Sequence, residues 1–321
     1  MAAGEWRYVP VARSANLGAM SAPSSAVAAT GRSPWFGLGV GVFAAFCFAL
    51  SVVLARAVYT QGGAPAAIIG LRLTLVFIVI AGYALIANKP MRLPRREARI
   101  GFALGILLCG QTLSIYAAFL YVPVSVGIMV EYVYPLLVAL MMRVFAREPL
   151  APARLACIAT ALVGLALILQ VSLSGALDPR GILLAMGSAI GLSTIIVASN
   201  QLLRGVDSLR IMLHMQAGGA LTALIVFTLL DAWQFPTTTA GWAALLAIPV
   251  LNGTALFCMF GAMAMIGATK TALSLTTEPV FVLIIAVSFL GEALAGVQLL
   301  GAALVIGALF AMQLYGARQG R

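Results

Sequence analysis

Apolar residues occur in long runs along most of the chain, and short polar segments separate the runs. A run of about 20 apolar residues crosses the hydrocarbon layer as a helix with a rise of 1.5 Å per residue. About ten such runs are present, at residues 36–56, 65–87, 100–119, 123–145, 151–172, 179–201, 210–230, 240–264, 270–291 and 294–316. The connections between them are short and rich in Gly, Pro and Asn, so neighbouring helices are expected to run antiparallel. The pattern therefore predicts an all-α integral membrane protein of about ten transmembrane helices.

The composition excludes a soluble globular domain. Hydrophobic residues make up 63% of the 321 residues and charged residues only 9%, whereas a soluble domain carries about 25% charged residues. Helices are expected because lipid offers no partners to backbone N–H and C=O groups, and the alternating pattern of a membrane barrel is absent from the sequence. Residues 1–34 differ: they are rich in Ala, Ser and Gly and lack the apolar stretch of a secretory signal. They predict a disordered cytoplasmic tail, in which Met20 is an alternative start to Met1.

The distribution of Lys and Arg predicts the orientation in the membrane. If both termini lie in the cytoplasm, 16 of the 19 basic residues fall on the cytoplasmic side, Arg56 and Arg180 fall outside, and Arg72 lies within a span. The positive-inside rule then favours a multi-pass protein of the inner (plasma) membrane with both ends cytoplasmic. The net charge of +10 follows from this bias, so it does not call for a nucleic-acid partner.

The sequence gives no indication of a bound cofactor or metal ion. The four cysteines lie inside predicted spans without CxxC pairing, and His214 is the only histidine. No phosphate-binding loop and no nucleophile–base constellation are present, so we expect neither a cofactor nor an enzyme.

An internal repeat is the most informative feature of the sequence. A shift of 144 residues places Pro135 on Pro279, and without a gap it also places Glu148 on Glu292. Each half then contains five spans, and because five is odd, the second half enters the membrane in the inverted orientation. The sequence predicts a tail over 1–34, a first five-helix repeat over 35–173 and a second five-helix repeat over 178–316.

The residues around the repeated prolines carry a resemblance to a known family. The segments from Pro135 to Glu148-Pro149-Leu150 and from Glu278-Pro279 to Gly291-Glu292 resemble the EamA family of the drug/metabolite transporter superfamily. The lead-in at 121–125 is similar as well. The resemblance covers about residues 36–316 and implies ten helices in two inverted halves around a central cavity. It implies transport of amino acids, nucleotide-like compounds or other small metabolites, often outward.

Ionisable residues inside the spans are candidate site residues, because a charge at the bilayer centre is costly and usually faces a cavity or a partner. Glu131 lies midway along the fourth span. Pro135 has no N–H to bond the backbone carbonyl of Glu131 and should kink the helix there. Arg72, at similar depth in the second span, is expected either to pair with Glu131 or to hold an anionic group of the substrate.

The second half offers a matching set of candidates. Glu278 precedes Pro279, which should kink the ninth span, and it is a candidate proton or substrate carboxylate. Tyr116 and Tyr134 are candidate cavity-wall residues. Glu148 and Glu292 lie at helix junctions and are expected to accept hydrogen bonds from the N-terminal amides of spans five and ten.

The predicted function is secondary-active transport of small metabolites, amino acids or related compounds, by alternating access and in the export direction. Its partners would be a small-molecule substrate, the lipid bilayer and protons as a candidate coupling ion. The alternatives are a non-transporting membrane scaffold or regulatory subunit, and a membrane-embedded enzyme. The inverted repeat favours the transporter over both.

Overall fold

The computed structural model describes residues 34–145, 152–173, 177–203, 206–293 and 295–319, and nearly all of them are helical. The helices are α1 (Pro34–Thr60), α2 (Pro65–Ile86), α3 (Arg95–Ala118), α4 (Val124–Glu131), α5 (Tyr134–Phe145), α6 (Pro152–Leu173), α7 (Pro179–Leu202), α8 (Ser208–Leu229), α9 (Thr239–Ile266), α10 (Ala268–Leu275), α11 (Glu278–Leu290) and α12 (Gly296–Gln319). Residues 1–33 of the predicted tail lie outside the described residues, as does Glu148, whereas Pro34 begins α1.

Eight of the predicted spans are long and apolar enough to cross a membrane in the described part of the chain. In this count α4 and α5 together form one span, Val124–Val144, and α10 and α11 form another, Lys270–Leu290. In α6 and α12 the apolar stretches are shorter, Leu155–Leu167 and Gly296–Met312. The all-helical membrane class is thus confirmed, and the count of ten spans stays a prediction.

The helices pack as an inverted repeat predicts. Helix α1 packs against α9 and α11, and its counterpart α7 packs against α3 and α5, the counterparts of those two. Helix α2 packs against its own counterpart α8, and α6 against α12. Exchanging the two halves therefore maps these helix pairs onto one another.

Both halves contain a span that is broken at the same register. Helix α4 ends at Glu131 and α5 begins at Tyr134, while α10 ends at Leu275 and α11 begins at Glu278, 144 residues later. The hydrogen bonds around the breaks correspond as well: Tyr132 N donates to Ile128 O at 2.8 Å, and Thr276 N donates to Ala272 O at 3.1 Å. Each break lies just before a proline, which has no N–H to offer the carbonyl four residues earlier.

Glycines bring α3 and α8 into close contact. A Cβ on Gly105 would lie 2.8 Å from the backbone nitrogen of Gly219 and 2.9 Å from the Cα of Gly218. A Cβ on Gly101 would lie 3.1 Å from the His214 Cβ. Small residues at such spacing let helix backbones approach closely, as is typical of helix pairs in membranes.

The two ends of the bundle differ in charge. One end, here called the basic end, carries Lys89, Arg92, Arg143 and Arg210 among its connections and helix termini. The other end, here called the opposite end, contains the connections between α1 and α2, α3 and α4, α8 and α9, and α11 and α12. There the two halves meet through backbone hydrogen bonds, such as Ala64 N to Gln234 O at 3.0 Å.

The predicted role of Glu292 at the start of span ten is wrong. Its carboxylate accepts hydrogen bonds from the backbone N–H groups of Val124 and Ser125 at the start of α4, in the other half of the chain. Just before α12, the backbone N–H of Ala295 donates instead to a side chain of the same helix, Gln298 Oε1, at 3.0 Å.

Candidate functional site

A polar cavity of about 430 Å³ lies where the two helix breaks meet. Both broken spans contribute to its wall, together with α1, α2, α3, α7, α9 and α12. Its polar lining residues are Ser51, Arg72, Gln111, Thr112, Tyr116, Glu131, Tyr132, Tyr134, Asn252, Thr276 and Glu278. The structure therefore brings Glu131, Arg72, Glu278, Tyr116 and Tyr134 into one cavity. Pro135 also lines it, whereas Pro279 is buried beside it.

Glu131 is the last residue of α4 and is 9% exposed. Its Oε1 accepts hydrogen bonds from Gln111 Nε2 of α3 at 2.9 Å and from Ser188 Oγ of α7 at 2.6 Å. Gln111 also donates to Ser188 Oγ at 2.7 Å. These bonds form a buried polar network that ties α3, α4 and α7 together, so the position of Glu131 is fixed from two neighbouring helices.

Of the two roles expected for Arg72, the ion pair with Glu131 is not formed in the described structure. Within the described residues, the guanidinium of Arg72 has no carboxylate oxygen within 4.0 Å. It lies instead over the ring of Tyr116, at 5.9 Å from the ring centroid. Gln111 and Ser188 both donate to Oε1 of Glu131, and the Arg72 guanidinium lies in the cavity wall without a carboxylate partner from the described chain. A guanidinium in this position can bind a carboxylate through two parallel hydrogen bonds.

Glu278 is the first residue of α11 and is more accessible than Glu131. Its Oε2 accepts a hydrogen bond from the Tyr132 hydroxyl at 2.7 Å. Tyr132 lies in the break between α4 and α5, so this bond joins the broken span of one half to that of the other. The N-terminus of a helix favours negative charge, and the carboxylate is thus held at the positive end of α11.

Two aromatic residues complete the wall beside the carboxylates. The rings of Tyr132 and Tyr134 meet edge to face at 5.8 Å. The Ser193 hydroxyl of α7 lies 3.0 Å from the backbone carbonyl oxygen of Tyr134, at the start of α5, and 2.6 Å from that of Ala189, so the two carbonyls share its one proton. Helix α7 thus contacts both sides of the first break, through Ser188 at Glu131 and through Ser193 at Tyr134.

The sequence did not single out Ser188, although it contacts a site residue directly. The signal available was weak: Ser188 lies next to Gly187 and three residues before Gly191, and small residues at this spacing are typical of close helix packing. A serine among glycines looks like a packing residue until the helix that faces it is known.

A second, apolar cleft of about 780 Å³ lies between α2, α8 and α9. Its wall contains Val79 and Tyr83 of α2, Met212 of α8 and Phe257 of α9. It holds none of the predicted site residues. For metal binding, no group of three or more His, Cys, Asp or Glu residues is suitably placed in the part of the chain that the structure describes.

The polar cavity can bind a small molecule that carries charge. It contains two carboxyl groups, one guanidinium, two amide side chains and three phenols within a mostly apolar wall. Such a set can hold a cationic amine at the carboxylates and an anionic group at Arg72.

The fold and the cavity define a class of membrane protein: a multi-pass helical protein with two inverted halves, whose broken helices meet at a central polar cavity, as in secondary transporters. A sequence model of the EamA-like transporter family matches residues 35–170 and 179–313, one match in each half. The chain belongs to the EamA-like transporter family and is a multi-pass membrane transporter of small molecules. The family resemblance predicted from the sequence is thereby confirmed.

A solved structure shares the fold. It is described only as the crystal structure of a protein, and it is 24% identical to this chain with a TM-score of 0.61. The match covers 88% of this chain and 99% of the other. None of the curated proteins compared with the chain matches it.

Proposed function

We propose that this chain is a secondary-active transporter that exports amino acids or closely related small metabolites across the inner membrane by alternating access. The observation that carries the proposal is the cavity itself. It is lined by Glu131, Glu278 and the guanidinium of Arg72, which has no carboxylate oxygen within 4.0 Å among the described residues. A zwitterion carries a carboxylate that can pair with the guanidinium and an amine that can pair with a carboxyl group.

The substrate would be held by its two charged groups. The amine would lie at Glu278, whose Oε2 accepts only the Tyr132 bond among the described hydrogen bonds. The carboxylate would lie at Arg72, which can offer two parallel N–H donors. Glu131, which is held by Gln111 and Ser188, would act as a positioning residue and add negative charge to the cavity. Tyr116 and Tyr134 would form the wall against the substrate side chain.

The helix breaks supply the moving parts. In transporters with inverted repeats, access alternates when one half rocks against the other around a fixed central site. Here the basic end would face the cytoplasm, with both termini there, in agreement with the positive-inside rule. Protonation of a cavity carboxylate is the proposed coupling step, since a proton and a substrate amine would compete for Glu278.

The experiment is transport by purified protein reconstituted in liposomes. Uptake of radiolabelled amino acids would be measured with and without a pH gradient for the wild type, Glu278→Gln and Glu131→Gln. The control is Asp231→Asn, which removes an exposed carboxylate outside the cavity at a position of positive φ that Asn tolerates. We expect Glu278→Gln to abolish gradient-driven transport and Asp231→Asn to leave it unchanged.

Two further outcomes are decisive. A metabolite profile of cells that overproduce the protein, compared with cells that lack it, should show one class of amine-bearing compound moving to the medium. If folded wild-type protein moves none of the amino acids tested and changes no metabolite pool, the proposed substrate class is wrong and the scaffold alternative gains weight.

A further inference from the structure

The N-terminus of α4 is capped by a residue from the other half of the protein. The Glu292 carboxylate accepts from Val124 N at 2.8 Å, from Ser125 N at 3.2 Å and from the Ser125 hydroxyl. Glu292 lies 168 residues after Val124, in the connection between α11 and α12. The helix has no local cap, because its N-cap residue is Pro123, which makes no side-chain cap bond. The first free amides of α4 are thus satisfied by a carboxylate of the second half, at the helix end that favours negative charge.

Helix α4 connects this contact to the cavity. The helix is eight residues long, all eight are buried, and its last residue is Glu131. Ser125 at one end is 1% exposed and bonded to Glu292, while Glu131 at the other end lies in the cavity wall. A displacement of α4 away from Glu292 would therefore also move Glu131.

The contact lies where the two broken spans come together. Helix α4 packs against α11 toward the opposite end of the bundle. The other two helices of the broken spans, α5 and α10, lie toward the basic end and do not pack against each other to a comparable extent. The arrangement of the broken spans is thus asymmetric, and Glu292 links them at the end where they are in contact.

We propose that Glu292 is a latch that holds the cavity closed at the opposite end, and that release of α4 from its carboxylate is a step in opening toward that side. The proposal rests on the alternating access proposed above. Glu292 is a positioning residue here, since it contacts α4 and not the substrate.

The experiment measures access to the cavity and does not depend on transport. Leu192, which lines the cavity and is half-buried, would be replaced by cysteine in a chain whose four natural cysteines have been replaced. A membrane-impermeant thiol reagent would be added from each side separately, using right-side-out and inverted vesicles. Labelling rates would be compared for the unlatched variant Glu292→Ala, for Ser125→Ala, and for the control Asp231→Asn.

We expect Glu292→Ala to raise the labelling rate from the opposite end several-fold, Ser125→Ala to raise it less, and Asp231→Asn to leave it unchanged. Labelling from the basic end should fall or stay constant in Glu292→Ala. If Glu292→Ala is folded and labels from the opposite end at the wild-type rate, Glu292 is a static helix cap and the proposal is wrong.

A second variant, and a comparison of labelling with transport, distinguish failure of the latch proposal from failure to fold and from failure of the proposed substrate. If Glu292→Ala does not fold, Glu292→Gln gives the same test, because it keeps one acceptor oxygen but turns an N–H group toward the α4 amides. A chain that changes its labelling as expected but transports no amino acid would support the latch and contradict the proposed substrate. A chain that transports, yet labels identically in all variants, would support the transporter and contradict the latch.

Discussion

The hydroxyl of Tyr132 donates a hydrogen bond of 2.7 Å to the carboxylate of Glu278, 146 residues further along the chain. Tyr132 lies in the break of the first half, and Glu278 begins the helix after the break of the second half. The bond therefore joins the two points where the repeats depart from regular helix. If the halves rock against each other as proposed, a change in the length of this bond would couple the state of a cavity carboxylate to their relative position.

Replacement of Tyr132 by Phe should slow transport about tenfold without unfolding the protein. A hydrogen bond to a charged group contributes about 1.5–3 kcal/mol, and 1.4 kcal/mol corresponds to a factor of ten. Initial rates in proteoliposomes give the measurement. Tyr83→Phe serves as the control, because Tyr83 is exposed on α2 and its ring meets Phe257 edge to face, outside the polar cavity. Equal rates for the two variants would show that the Tyr132 hydroxyl has no part in transport.

The positions of the helix breaks follow from local sequence, which is why they could be anticipated. Pro135 and Pro279 each lack the N–H that would continue the helix, and the gapless register between the halves places both at equivalent points. The membrane class follows in the same way from run lengths alone. These features depend on residues that are close in sequence or repeated at a fixed distance.

The partners of the carboxylates could not be predicted, because they depend on which helices become neighbours. A pair between Glu131 and Arg72 was one of two expectations, based on their similar depth in the bilayer, but depth does not determine which helix faces meet. Helices α3 and α7 present Gln111 and Ser188 to it instead. Glu292 was assigned to the helix that follows it in sequence, whereas the fold brings it to one from the other half.

Replacement of Arg72 by Lys should show whether substrate binding needs only the positive charge at this position or also the planar pair of N–H donors of the guanidinium. Lysine keeps the positive charge but loses the planar pair of N–H donors that binds a carboxylate. We expect the KM for a zwitterionic amino acid to rise about tenfold, the cost of about one charge-assisted hydrogen bond. Uptake of the matching amine without a carboxylate should change little. If both substrates lose affinity equally, Arg72 acts on the fold of the cavity and not on the substrate carboxylate.

Replacement of Pro135 by Ala should impair transport without lowering stability. Alanine restores an N–H that can bond the Glu131 carbonyl and so favours a continuous fourth span. We expect a slower transport rate and a melting temperature in detergent at or above that of the wild type. Pro249→Ala is the matched control, since Pro249 lies inside the unbroken helix α9. A Pro135→Ala variant that transports at the wild-type rate would contradict a role for the first break in the transport cycle.

The glycine contact between α3 and α8 gives a stability prediction with a control on the same helix. A methyl group on Gly105 would fall 2.8 Å from Gly219 N and 2.9 Å from Gly218 Cα, so Gly105→Ala must push the two helices apart. Overpacking of this kind costs about 1–3 kcal/mol. Gly110→Ala adds the same methyl group where nothing lies within 4 Å, and alanine is favoured over glycine in a helix by up to about 1 kcal/mol. In thermal unfolding in detergent, the melting temperature should fall for Gly105→Ala and hold or rise for Gly110→Ala. Because the two variants differ only in what the added methyl meets, equal melting temperatures would mean that the close approach of α3 and α8 is not needed for stability.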